Sequence, residues 1–186
     1  MAVTTLDPRT ALVVIDLQKG ITGLPTAHPM SAVLAQSARL AEAFRRRQLP
    51  VVLVNVDGGA PGRTEQQFRG EFPPDWTALV PELNPQPQDH LVTKRTWGAF
   101  TGTDLEAYLR RQGITQVAVC GVATSFGVES TARHAHELGF NVTLATDAMT
   151  DMSRDAHDNS LARIFPRLGE TGTTAEIIAL LEAGRA

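Results

Sequence analysis

A doubly wound α/β fold, with a mostly parallel sheet covered by helices on both faces, is the architecture this sequence predicts. Two observations carry the prediction. Short apolar runs without alternation, at residues 11–15, 51–56, 117–120 and 142–145, read as strands buried on both faces. Stretches of helical period separate them, and strands that alternate with helices argue for parallel pairing through crossover connections. At 186 residues, with no internal repeat or linker, the chain suits a single domain spanning 1–186.

The elements follow in order. The run ALVVI at 11–15 is a first strand that stops on Asp16. Residues 16–29, with Gly20, Gly23, Pro25 and Pro29, read as a loop. Ser31 suits the N-cap of a helix over 32–48, where Val33, Leu34, Ala38, Leu40, Ala41 and Phe44 recur at helical spacing. Pro50 closes it, and 51–56 is a second strand. Residues 57–89 are irregular and rich in Gly and Pro, with Phe68, Phe72 and Trp76 to bury. A segment this long inside a compact domain serves as a lid, a binding loop or an oligomer contact. Residues 90–93 form a short strand leading to Lys94. Thr103 or Asp104 opens a helix through Gln112, which Gly113 terminates. The strand at 117–120 passes through the small-residue turn Gly121-Val122-Ala123-Thr124 into a helix that runs to about Leu138 and stops at Gly139. A strand at 142–145 ends at Asp147, a helix covers 154–165, a short strand lies near 167–170, and a last helix covers 174–183.

Composition narrows the function classes. A formal net charge of −3, with 20% charged and 42% hydrophobic residues, describes an ordinary soluble protein. The longest basic run is Arg45-Arg46-Arg47, late in a helix where cations suit the dipole, so nucleic acid is not an expected partner. The start has no basic n-region followed by an apolar stretch, and no run approaches the roughly 20 apolar residues of a membrane helix. A cytoplasmic location, away from the membrane, is the expectation. The single cysteine, Cys120, excludes an internal disulfide and reads as a small buried hydrophobe. No metal and no cofactor is expected. His134 and His136 face different directions on a helix, Asp147, Asp151 and Asp155 lack calcium-loop spacing, and neither glycine-rich phosphate motif occurs.

Chemistry is expected where strands end. Asp16, Lys94 and Gly127 each lie at or just beyond the carboxyl end of a strand, the edge where open parallel sheets bind ligands. The helix after 117–120 would aim its first N–H groups there, a floor suited to an anion or an oxyanion.

Those segments carry a resemblance. GVATSFGVESTAR, residues 121–133, resembles the segment that holds the nucleophilic cysteine of the isochorismatase-like hydrolases, a superfamily that includes nicotinamidases and N-carbamoylsarcosine amidases. Its thiol enzymes read roughly G-V-x-T-x-x-C-V-x-x-T-A, and Gly127 fills the cysteine slot here. ALVVIDLQKG resembles the first strand with its acid, Asp16, and HLVTKRTWGAFTGTDLEAYLR resembles the segment with its lysine, Lys94. The tail DAMTD…IFPRLGETGTT extends the likeness over most of the chain. The resemblance implies six strands ordered 3-2-1-4-5-6, a cis peptide at Val122–Ala123, and a homo-oligomer, dimer or tetramer. It also implies a small-molecule pocket touched by Gln18, Trp97, Phe100, Ala123, Thr124 and Phe126.

In the thiol branch the Asp takes the cysteine's proton, the Lys stabilises charge, and the thiolate attacks a carbonyl whose oxyanion meets backbone N–H groups. Gly127 removes that nucleophile, and no histidine is placed to activate Ser125 or Ser130 instead. The family's true isochorismatases also carry glycine there and hydrolyse a vinyl ether, a reaction that needs proton delivery. Asp16 could be that acid if burial raises its pKa, whereas a close Lys94 would lower it. One departure stands: a glutamine that isochorismatases carry after the second strand is absent from Val56-Asp57-Gly58-Gly59. Arg63 nearby could bind an anionic substrate. The resemblance therefore implies a cofactor-free hydrolase acting on a small anionic substrate, an enol ether such as isochorismate being the most concrete. The alternative is a ligand-binding or oligomeric scaffold that has lost the thiol nucleophile.

Overall fold

The computed structural model describes residues 3–65 and 72–184. Six parallel strands form one sheet in the order β3-β2-β1-β4-β5-β6, as the resemblance implies. They are β1 (Thr10–Ile15), β2 (Val51–Val56), β3 (His90–Lys94), β4 (Gln116–Val122), β5 (Asn141–Thr150) and β6 (Glu170–Gly172).

The central strands are apolar at successive positions because both their faces are covered. Leu12, Val14, Leu53 and Cys120 face one core, closed by Leu40 and Phe44 of α2 (Met30–Arg46) and by Ile177 and Leu181 of the last helix (Thr174–Ala183). Val13, Ile15, Val52, Val117 and Val119 face the other. That second core is closed by Leu105 and Leu109 of α3 (Leu105–Arg111) and by Ala132 and Ala135 of α4 (Glu129–Glu137). No helix among the described residues is long and apolar enough to cross a membrane.

Several boundaries differ from the sequence expectation. The loop after β1 contains a single helical turn, α1 (Lys19–Thr22). Helix α2 begins at Met30, with Pro29 rather than Ser31 at the N-cap, and ends at Arg46. The proline ring sets φ near its helical value and has no N–H to leave unpaired, so it starts the helix without a side-chain cap. Strand β5 runs past Asp147 to Thr150, because a register shift between Val119 and Gly121 lets Met149 and Thr150 pair with Gly121 and Val122. Gly121 makes this possible: its φ is +116°, and a side chain there would strike the Ile15 backbone. The helix at 154 continues through α5 (Arg154–Asn159), a π-helical turn and α6 (Phe165–Leu168), so β6 starts three residues later than expected.

Trp76 ties part of the 57–89 segment to the end of β2. Its indole N–H donates to the Val56 carbonyl at 3.0 Å, its ring lies over Gly20 with no space for a Cβ, and Phe72 packs on it at 4.4 Å. Phe68 lies outside the described residues.

Candidate active site

The site is assembled from three strand ends. The backbone leaves β1 at Asp16 in the left-handed region, φ 52°, a conformation Asp tolerates better than most residues and one often held in place at functional sites. Two strands away, Lys94 ends β3, and the β2–β3 register sets it beside Val56. Both side chains are buried, with Asp16 6% and Lys94 2% exposed. The Lys94 ammonium donates to Asp16 Oδ2 at 2.7 Å and to the Thr96 carbonyl at 3.1 Å. Asp16 Oδ1 is buried with no hydrogen-bond partner among the described residues. Buried carboxylate oxygens seldom go unpaired, and one that does is a site where chemistry or a bound molecule is looked for.

Gly127 lies in the π-helical turn Thr124–Val128 that joins β4 to α4. Such turns often occur at functional sites. A Cβ at Gly127 would point at Asp16 Oδ2 from 3.3 Å, with the Val122 carbonyl at 3.4 Å and the Ile15 Cγ2 methyl at 2.8 Å. The three strand-end residues thus converge, and a side chain at Gly127 would need the Ile15 methyl to give way. The Val122–Ala123 peptide beside it is cis.

Opposing influences act on Asp16. Burial raises its pKa, the nearby Lys94 charge and hydrogen bond lower it, and burial wins, leaving the carboxyl at about 6. Cys120 is fully buried in β4 and its thiol is pushed up to about 12 by burial, so it supplies no thiolate near neutral pH.

These groups open onto a cleft of about 210 Å³. Asp16, Lys94 and Gly127 form one wall, with Val122 and Ala123 of the turn beside them. Trp97 and Phe126 meet edge to face at 4.8 Å and form the mouth with Leu24 and Met152. A larger cleft of about 420 Å³ lies at the opposite end of the strands, near Gln116 and Asn141, far from the acid–amine pair.

Four residues expected at the pocket do not line it. Gln18 is fully buried and its amide is used up by backbone: Nε2 donates to the Val56 and Trp76 carbonyls, and Oε1 accepts from Val56 N–H. It joins β2 to the Trp76 segment and does not line the cleft. Phe100 packs into the core against His134 and Phe140. Thr124 is buried, its hydroxyl 2.8 Å from His157 Nδ1. Arg63 is exposed to solvent and does not reach the cleft.

The turn's donors are also partly spent. Ser125 N–H goes to Asp151, and the Phe126 and Val128 N–H groups go to the Ala123 carbonyl, which narrows the expected oxyanion floor. Sequence reading missed Leu24 and Met152 at the mouth, since lone apolar residues in loops carry no periodic signal. It also missed Asp151, which braces the turn by accepting from both Ser125 N–H and Oγ–H. Among the described residues no three His, Cys, Asp or Glu side chains are grouped so as to hold a metal ion.

The sequence model of the isochorismatase domain matches residues 10–176. An uncharacterised isochorismatase family protein of Bacillus subtilis, YwoC, is 44% identical over 178 residues, which cover 91% of this chain and 93% of that one. A streptothricin hydrolase of Streptomyces noursei is 37% identical over 138 residues, 74% of this chain and 48% of that one. The solved structure of an isochorismatase family protein from Burkholderia thailandensis aligns at 45% identity with a TM-score of 0.92, covering 96% of this chain and 98% of the other.

Proposed function

The chain belongs to the isochorismatase family of hydrolases, and on that premise we propose that it hydrolyses a small enol ether by proton transfer from Asp16, without cofactor or covalent intermediate. The observation that carries this reading is the buried, unpartnered Oδ1 of an Asp16 that lines the cleft together with Lys94 and a side-chain-less Gly127.

Protonated Asp16 gives its proton to the terminal enol carbon, and the double-bond electrons form the new C–H bond. The substrate becomes an oxocarbenium ion and Asp16 a carboxylate. Lys94, at 2.7 Å, stabilises that carboxylate as its charge develops. Water adds to the cationic carbon and returns a proton to Asp16, and the hemiacetal collapses to a carbonyl compound and an alcohol. A carboxyl titrating at about 6 suits this cycle, because it is protonated in a useful fraction near neutral pH and accepts the proton back readily. Gly127 offers no side chain to form an acyl or thioether intermediate.

The test is release of the carbonyl product, pyruvate from isochorismate or acetaldehyde from simple vinyl ethers, by wild type, Asp16→Ala and Gly127→Cys. Removing Asp16 is expected to lower turnover about 10²-fold or more. Absence of turnover by wild type on every enol ether tried sinks the reading. Amide hydrolysis appearing only in Gly127→Cys would instead mark a thiol-hydrolase scaffold that has lost its nucleophile. The proposal extends to a cytoplasmic homo-oligomer, dimer or tetramer, whose subunit number sedimentation would count.

A further inference from the structure

Asp151 is a second buried carboxylate beside the cleft, and proton transfer at Asp16 makes no use of it. It follows the last residue of β5, is 1% exposed, and belongs to none of the ion pairs among the described residues. His157 nearby offers it no cation. Burial and then His28, with a smaller push from Arg154, hold that ring below its ordinary 6.5 against the upward pull of Asp158 and Asp151, so it is neutral near pH 7.

A buried anion without a counter-ion persists where dipoles replace its hydration. Asp151 has such dipoles on both oxygens. Oδ2 accepts from the Ser125 N–H and Oγ–H, each at 2.8 Å, and Oδ1 accepts from the Ser153 N–H at 3.1 Å. Hydrogen bonds to an ionised acceptor are roughly twice as strong as neutral ones, so Ser125 is gripped firmly. The Asp151 carbonyl also accepts from the Ala27 N–H at 2.8 Å. One residue thereby joins the Thr124–Val128 turn, the end of β5 and the loop after α1.

What the turn does for Asp16 is visible at Gly127. A Cβ there would lie 3.3 Å from Asp16 Oδ2, so the turn is packed against the carboxyl, and Val122, Ala123 and Phe126 stand beside it in the cleft. The low exposure of Asp16, 6%, depends in part on this turn staying where it is. The Thr124 hydroxyl and the Gly127 carbonyl are held as well, by His157 and Thr131, but through neutral contacts.

We propose that Asp151 is a positioning residue: by gripping Ser125 it keeps the Thr124–Val128 turn closed against Asp16 and water away from the carboxyl. Only the kinetic consequence rests on the reading of Asp16 as proton donor.

The first test needs no substrate. Carbon-detected NMR follows the Asp16 titration in wild type, Asp151→Ala and Asp151→Asn. Both variants lack the charge, but asparagine keeps a side-chain oxygen for the two Ser125 donors and alanine keeps none. Asp151→Ala is expected to lower the Asp16 midpoint from about 6 by about 1 pH unit or more, since desolvation weakens while Lys94 remains. Asp151→Asn should stay near the wild-type value. Equal shifts in the two variants assign the effect to the lost charge, and no shift in either means that the turn closes without Asp151; both results overturn the proposal. If Asp151→Ala does not fold, Ser125→Ala takes its place, since it removes one of the two hydrogen bonds to Oδ2. A smaller downward shift is then expected, and no shift refutes the proposal.

Turnover is the second readout. On an enol ether that wild type hydrolyses, the falling limb of kcat/KM should move acidic in Asp151→Ala together with the midpoint, roughly tenfold in rate at neutral pH for each unit, and return in Asp151→Asn. A rate loss without that movement marks a structural role alone and counts against the proposal. A wild type without turnover sinks acid catalysis on enol ethers, and the titration still decides the role of Asp151.

Discussion

Replacing Lys94 by methionine separates the two influences on the Asp16 carboxyl. Methionine keeps much of the volume of a side chain that is 2% exposed and removes its charge and its hydrogen bond to Asp16. In the wild type, burial lifts the Asp16 pKa and Lys94 pulls it back to about 6. An opposite charge at this range lowers a carboxyl pKa by about 1–3 pH units. Lys94→Met should therefore move the Asp16 titration upward by about that amount. Carbon-detected NMR of the carboxyl follows it without any substrate. The rate should respond in two ways. On the proposed proton transfer from Asp16 the acid form is the active one, so the falling limb of kcat/KM, expected near pH 6 in wild type, should move alkaline with the titration. The plateau below it should drop, since the carboxylate formed on proton transfer has lost its cation. Stability follows the same sign. Folded Asp16 holds its proton more tightly than the unfolded chain does, so its contribution is complete below about pH 4 and is lost as pH rises through about 6, on the order of 3 kcal/mol in all. In Lys94→Met that loss should extend to higher pH. An Asp16 midpoint that stays near 6 or falls refutes the assignment of Lys94 as the group that holds it down.

Four further outcomes are expected. Asp16→Asn keeps the shape of the protonated acid, so stability in urea denaturation should lose the pH dependence that Asp16 gives it between about pH 4 and 6 and should exceed that of the wild type at neutral pH. Thr124→Val strands the ring nitrogen of buried His157 and should cost about 1–3 kcal/mol at neutral pH. Burial and then His28 lower the His157 pKa, so its share of stability is present above the ordinary value of 6.5 and lost as pH falls; His157→Gln should flatten that acid-side loss in denaturation midpoints taken across it. Gly20→Ala drives a methyl into the Trp76 ring and should cost about 1–3 kcal/mol, with Trp76 fluorescence shifting as its anchor to Val56 loosens.

What could be read from the chain had local causes. Strand β2 has the bounds its apolar run predicts, because a central parallel strand is buried on both faces, as its first four residues are. The positions of Asp16 and Lys94 at strand ends were equally legible. Side-chain destinations were not. Arg45-Arg46-Arg47 looks uniform and behaves three ways: Arg45 grips Asp89 at 2.6 Å, Arg46 pairs with Glu42 one turn away, and Arg47 reaches the Leu181 carbonyl. Likewise Gln18 and Phe100 carry residue types suited to a pocket, and the packing of distant segments drew one to backbone and the other into the core.

The sequence by itself determined the parallel α/β sheet, the strand edge that Asp16 and Lys94 share, and the absence of a side chain at Gly127. The tertiary structure decided the charge state and the company of the acid. Asp16 and Lys94 are 78 residues apart, and neither the 2.7 Å between them nor the exclusion of water around them is encoded near either one. A pKa is set by desolvation and by charges a few ångströms away, and both are supplied by whatever the fold brings there.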